Sequence, residues 1–174
     1  IGTFQKNNEI LLDAFKKFSL INNEWKLEII GSIENDFQNY IIKYFELNPD
    51  LIDRVFFTGS ITNREILQSK YKKAKIFVLS SRFEGFPLVF LEAIKSGCTI
   101  ISSAISSAYD ITDNEKYGAL FPVGDANALA NELSKTVSNT DKLSMDCVAI
   151  QKFAYEKYSW SKISIDVNNL IQKK

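Results

Sequence analysis

Short runs rich in β-branched and aromatic residues alternate along this chain with stretches whose apolar residues recur every three to four positions. The runs at 27–30, 54–58, 75–79, 99–102 and 119–121 read as strands. Ile10, Leu11, Ala14, Phe15 and Phe18 keep one face of a helix, and so do Phe37, Tyr40, Ile41, Tyr44 and Phe45. Further helices are expected at 63–73, 126–137, 141–158 and 161–171, with Asp125 capping the second of these and Ser159 or Ser161 the last. Strands that alternate with amphipathic helices predict an α/β, Rossmann-like domain of three layers: a mainly parallel sheet with helices on both faces. No boundary divides residues 1–174, so a single domain is expected. Three strands run out in Gly31, Gly59 and the pair Ser80-Ser81, and the carboxyl ends of strands are where open α/β sheets place ligands.

Composition narrows the chemistry. The 174 residues are 45% apolar, enough for a sizeable core, and 21 basic residues balance 21 acidic ones. No whole-chain field therefore draws the protein to nucleic acid or an anionic membrane, and any anion site must be local. The chain has no histidine, which removes the Ser-His-Asp triad, the Cys-His dyad and the most common general base. Cys98 and Cys147 are far apart and lack other soft ligands, so neither a zinc site nor a disulfide framework is expected, and a reducing cytoplasm fits. No apolar stretch is long enough to span a bilayer, so a soluble domain is expected. The chain opens at Ile1-Gly2-Thr3 without a methionine, which reads as a boundary inside a longer protein.

The informative segment runs from Ser80 to Gly97. A strand passes through Arg82-Phe83-Glu84-Gly85-Phe86 into a helix bounded by Pro87 and Gly97, residues suited to its two ends. Such a helix opens at the carboxyl edge of the sheet with free amides among Gly85, Phe86, Leu88 and Val89 and the positive end of its dipole beside them. Phosphate is the natural guest of that arrangement. Glu92 follows among Leu88, Val89, Phe90, Leu91, Ala93 and Ile94, apolar nearly all round, which predicts a largely buried carboxylate. Without donors it would cost several kcal/mol, and the hydroxyls of a ribose could supply two. It could equally satisfy a helix end or pair with a lysine. Glu84, on the turn, faces the same cleft or is an ordinary solvated carboxylate.

Glu84-Gly85-Phe86-Pro87, Glu92-Ala93 after seven intervening residues, Ser96-Gly97 and Ile100-Ile101-Ser102-Ser103 together resemble the hallmark of the family 4 (group 1) retaining glycosyltransferases. The resemblance spans nearly the whole chain, from Lys6-Asn7 to Tyr158-Ser159-Trp160. It implies the C-terminal, donor-binding domain of a GT-B fold. By position it assigns Glu84 to the donor sugar or reacting phosphate and Glu92 to the ribose. Lys6 falls to the phosphates, as do Gly85, Phe86, Pro87, Leu88 and Val89 of the turn. Loop backbone after Gly31 and Gly59 would meet the base. The resemblance further implies retaining transfer of a hexose-type sugar from a UDP-, GDP- or ADP-sugar to a glycan or lipid-linked acceptor. It implies neither a metal nor a separate cofactor. The acceptor site would lie in an N-terminal domain outside these residues, leaving the isolated domain inactive. The same likeness suggests polysaccharide biosynthesis in a bacterium, in the cytoplasm or at the inner membrane face, with no direct membrane contact by this domain.

Two positions depart from the family pattern. Thr3 follows Gly2 where members carry an arginine, leaving the second phosphate cation open, and Pro87 stands where many have glycine, removing one amide donor. Rival readings are a sugar-nucleotide epimerase of the same fold and a non-catalytic nucleotide-sugar-binding module. A dinucleotide-binding dehydrogenase would need a G-x-G-x-x-G turn, which is absent.

Overall fold

The computed structural model describes residues 1–2, 4–138 and 140–172. Its five strands lie within one residue of those expected and are all parallel. β1 (Leu27–Ile30) pairs with β2 (Val55–Gly59), with Leu27 opposite Val55 and a register shift that sets Ile30 against Gly59. β3 (Ile76–Leu79), β4 (Thr99–Ser103) and β5 (Gly118–Phe121) form a ladder with β4 in the centre. The expected single sheet is thus divided: among the described residues no ladder joins β1 to β3.

Helices cover both faces, because residues that alternate along a central strand must bury both ways. Ile101 of β4 packs with α1 (Asn8–Ser19), which contributes Leu12, Phe15 and Phe18, and with Leu129, Leu133 and Val137 of α6 (Ala126–Val137). Its neighbour Ile100 turns to the other face. There it joins Phe90, Ala93 and Ile94 of α4 (Leu88–Lys95), Ala108 and Ile111 of α5 (Ser106–Thr112), and Ile150 and Ala154 of α7 (Thr140–Tyr158). Gly118 runs so close to the Ile100 carbonyl that a Cβ there would collide with it, which is why β5 begins on glycine.

Local signals place most helix ends. Asn63 caps α3 (Arg64–Lys73) by accepting from the Glu65 and Ile66 amides, and Asp125 caps α6 through the Ala128 amide at 2.9 Å. Ser159, rather than Ser161, caps α8 (Trp160–Gln172), accepting from the Lys162 amide at 3.2 Å. α2 (Asn35–Leu47) and the 3-10 turn at Pro49–Leu51 complete the described elements. Neither that turn nor α5 was expected from sequence. α5 spans only Ser-Ser-Ala-Tyr-Asp-Ile-Thr, too short and too polar to show a helical period.

Candidate functional site

The carboxyl ends of β1, β2 and β3 converge. The Gly31 amide donates to the Gly59 carbonyl at 2.9 Å, and Gly59 holds φ +76 with nothing within 4 Å of where a Cβ would sit. Positive φ with open space is the signature of a backbone left bare for something to approach. At the end of β3, Ser80 and Ser81 are buried, and the Ser80 hydroxyl donates to the Lys6 carbonyl at 2.9 Å.

Residues 4–7 are fastened onto this strand end. The Arg82 amide donates to the Gln5 carbonyl at 2.8 Å. Its guanidinium donates to the Phe4 carbonyl and to Asn7 Oδ1, and lies 4.3 Å from the centre of the Phe4 ring. Arg82 is therefore occupied as a clamp on the loop rather than projecting as a second anion-binding cation. Thr3, the position that departs from the family's arginine, lies outside the described residues.

The clamp brings three donors to one carboxylate. Lys6 Nζ and the Ser81 hydroxyl donate to Glu84 Oε1 at 2.6 and 2.8 Å, and Gln5 Nε2 donates to Oε2 at 3.1 Å. The Glu84 side chain is only 11% exposed, so it is a positioned group and not a solvated turn carboxylate. Gln5 also donates to the Phe83 carbonyl at 3.1 Å, which holds the turn itself.

Beyond Glu84 the turn opens α4. Pro87 occupies its N-cap, and the Phe90 amide is taken up by the Pro87 carbonyl at 3.0 Å. The amides of Gly85, Phe86, Leu88 and Val89 have no acceptor among the described residues. Leu88 and Val89 at the helix N-terminus, with Gly85 and Phe86 on the turn before it, are donors of the kind an anion site uses.

Glu92 corrects an expectation. It is exposed, not buried. α4 buries Phe90, Ala93 and Ile94, whereas Leu88, 71% exposed, and Glu92, one turn later, share an open strip. An all-apolar neighbourhood in sequence was not an all-buried helix in space, because only one side of α4 is packed. The Tyr71 hydroxyl donates to Glu92 Oε2 at 3.1 Å. Burial, then the Glu92 charge and this hydrogen bond, raise the Tyr71 phenol well above its ordinary pKa, so it remains a donor.

A cavity of about 1310 Å³ is lined by Lys6, Gly31, Ser81, Val89 and Glu92, together with Tyr71. Gly59 and Glu84 border the same region without lining it. Gln5 and Tyr71 were not singled out from sequence. Adjacency to Lys6 could have pointed to Gln5, but Tyr71 reaches Glu92 only through the packing of α3 against α4. Among the described residues no group of three or more His, Cys, Asp or Glu is placed to hold a metal ion.

The sequence profile described as glycosyl transferases group 1 matches residues 2–153. The chain belongs to this family. It is 30% identical over 158 residues to the lipopolysaccharide 1,6-galactosyltransferase of Escherichia coli, covering 88% of this chain and 42% of that enzyme. It is 33% identical over 154 residues to the poly(glycerol-phosphate) alpha-glucosyltransferase of Bacillus subtilis, covering 86% of this chain and 20% of that one. In fold it is similar to Anabaena HepE in complex with UDP, with a TM-score of 0.77 at 19% identity over 99% of this chain and 46% of that one. The chain thus spans less than half the length of each of these proteins. The division into parallel layers flanked by helices is that of the Rossmann-like domain of GT-B glycosyltransferases. No helix among the described residues is long and apolar enough to cross a membrane.

Proposed function

We propose that this chain is the donor-binding domain of a retaining hexosyltransferase of family 4, which transfers sugar from a nucleoside diphosphate sugar to a glycan or lipid-linked acceptor. One observation carries the reading: Lys6, Gln5 and Ser81 converge on Glu84 immediately before a helix N-terminus whose amides at Gly85, Phe86, Leu88 and Val89 have no acceptor among the described residues.

In this reading the pyrophosphate meets those amides and the α4 dipole, and Lys6, held at the rim by Glu84, offsets charge growing on the departing diphosphate. Such preorganised donors lower a barrier because they need no reorientation as charge develops, and they call for no metal. Glu84 borders the position of the donor sugar, and Glu92 accepts from the ribose hydroxyls with Tyr71 fixing its second oxygen. The base lies against the backbone after Gly31 and Gly59, of which Gly59 is bare. Phe83, Phe86 and Leu88 are exposed around the turn, apolar surface suited to a second domain that carries the acceptor. Closure of that domain supplies the water exclusion and positioning that this chain lacks, effects worth about 7–11 kcal/mol of barrier.

The test is a thermal-shift and calorimetry screen of the chain against UDP, GDP, ADP and their sugars, followed by product analysis with candidate acceptors. Saturation at a hundred times the dissociation constant stabilises by about 2.7 kcal/mol. Binding without transfer is expected. No stabilisation by any nucleotide overturns the donor site, and acceptor-dependent turnover by the chain alone overturns the division of labour.

A further inference from the structure

Lys6 sits on a turn of residues 4–6 that burial does little to fix. Phe4 is 73% exposed and the Lys6 side chain 45% exposed, so apolar packing does not decide where the ammonium points. Polar contacts to the end of β3 decide it instead. The Ser80 hydroxyl donates to the Lys6 carbonyl and the Arg82 amide to the Gln5 carbonyl, the second a bond that almost any residue at 82 could make. The Arg82 guanidinium adds what backbone cannot. Nε donates to the Phe4 carbonyl at 3.2 Å and a terminal nitrogen to Asn7 Oδ1 at 3.1 Å, so one side chain holds the turn both before and after Lys6. Its flat face lies 4.3 Å from the centre of the Phe4 ring.

Asn7 gives up local bonding for this contact. It stands at the N-cap of α1, where an asparagine ordinarily accepts from the first helix amides, yet its side chain makes no cap bond and its oxygen is spent on Arg82. Its backbone is left-handed at φ 53, and its Nδ2 is buried without a partner. A buried orphan amide and a forgone cap both cost stability, and such a state persists only where the surroundings hold it. Arg82 is the group that holds it.

We infer that Arg82 is a positioning residue for Lys6: its planar fork staples the turn from Phe4 to Asn7, and that staple keeps the ammonium against Glu84 at the mouth of the α4 turn. Arg82 itself touches no donor. A lysine cannot replace it, because an ammonium is a point charge with neither the fork that meets two acceptors nor a flat face for the Phe4 ring. The consequence for nucleotide affinity rests on the proposed donor-binding function, whereas the hold on Lys6 does not.

The test measures two properties of wild type, Arg82→Lys, Arg82→Ala, Lys6→Ala and the Arg82→Ala/Lys6→Ala double variant. The first is the rate at which acetic anhydride acylates Lys6, mapped by peptide mass against the remote Lys152. Loss of the staple should speed Lys6 acylation by about threefold or more in both Arg82 variants and leave Lys152 unchanged. The second is affinity for UDP, GDP and ADP in calorimetry at low salt. Arg82→Lys should lose about fivefold or more, nearly as much as Lys6→Ala, and the double variant should lose no more than Lys6→Ala alone. Unchanged acylation of Lys6 overturns the inference, as does wild-type affinity in Arg82→Lys. Additive losses in the double variant also overturn it, since they make Arg82 a direct contact. Faster acylation in a chain that binds no nucleotide leaves the staple standing and removes the donor-binding function. Phe4 is largely exposed, so Phe4→Ala, expected to shift acylation in the same direction, carries the test if the Arg82 variants fail to fold.

Discussion

Lys6 Nζ and Glu84 Oε1 lie 2.6 Å apart although 78 positions separate them in sequence. The Lys6 side chain is 45% exposed, so it can lean toward an incoming anion while the carboxylate stays held by Ser81 and Gln5. In the proposed reading, this cation and the turn amides beside it form the rim of the donor's pyrophosphate site.

Lys6→Ala should therefore weaken binding of a nucleoside diphosphate by about 1–2 kcal/mol, roughly 5–30-fold, in calorimetry at low salt. The difference should shrink as ionic strength rises, since the site is open and screened. Fold stability should fall by about 1–3 kcal/mol, because the largely buried Glu84 carboxylate loses its charged partner and keeps only Ser81 and Gln5. Unchanged affinity at low salt would remove Lys6 from the phosphate site.

Glu92 separates two readings through a pair of variants. If it accepts from ribose, Glu92→Gln keeps an acceptor and costs little, while Glu92→Leu leaves the hydroxyls without a partner and costs of the order of 1–3 kcal/mol in nucleotide affinity. Because Glu92 is exposed, neither variant should lower Tm appreciably. Equal affinity of wild type and Glu92→Leu sinks the assignment.

Two glycines should behave oppositely. A Cβ at Gly118 meets the Ile100 carbonyl and the Thr112 side chain, so Gly118→Ala should destabilise by about 1–3 kcal/mol in denaturant unfolding. Gly85 has nothing within 4 Å of its Cβ position, so Gly85→Ala should leave stability unchanged yet weaken nucleotide binding by crowding the turn amides. Intact binding by Gly85→Ala would move the pyrophosphate off this turn.

Cysteine reactivity tests the core. Burial, and then the neighbouring Cys147, push the Cys98 thiol from 9.0 up to about 12, whereas Cys147 is half-buried. The thiolate is the nucleophile, so iodoacetamide at pH 8 should label Cys147 and spare Cys98, as read by peptide mass mapping. The folded pKa is raised above the unfolded one, so this group's contribution is complete below about 9 and is lost as pH rises toward 12. Wild-type Tm should accordingly fall more steeply over that window than that of Cys98→Ala.

Much of this was legible in the chain because it is locally encoded. Strand ends at Gly31 and Gly59, the cap Asp125, and the turn from Glu84 into α4 each depend on residues within a few positions of one another. The Glu84 motif marked the candidate site for the same reason: free amides and a positive dipole end at a helix N-terminus follow from local sequence.

What sequence determined by itself was therefore the order of the five strands and of the helices other than α5 and the 3-10 turn, and the turn that leads from Glu84 into α4. Tertiary structure alone decided that Glu92 faces outward, that Tyr71 reaches it across 21 positions, that Arg82 is consumed in clamping residues 4–7, and that among the described residues no ladder joins β1 to β3. The physical reason is common to all four. Periodicity records which residues share a face of one element, whereas burial, pairing and charge partnership depend on which other element packs against that face.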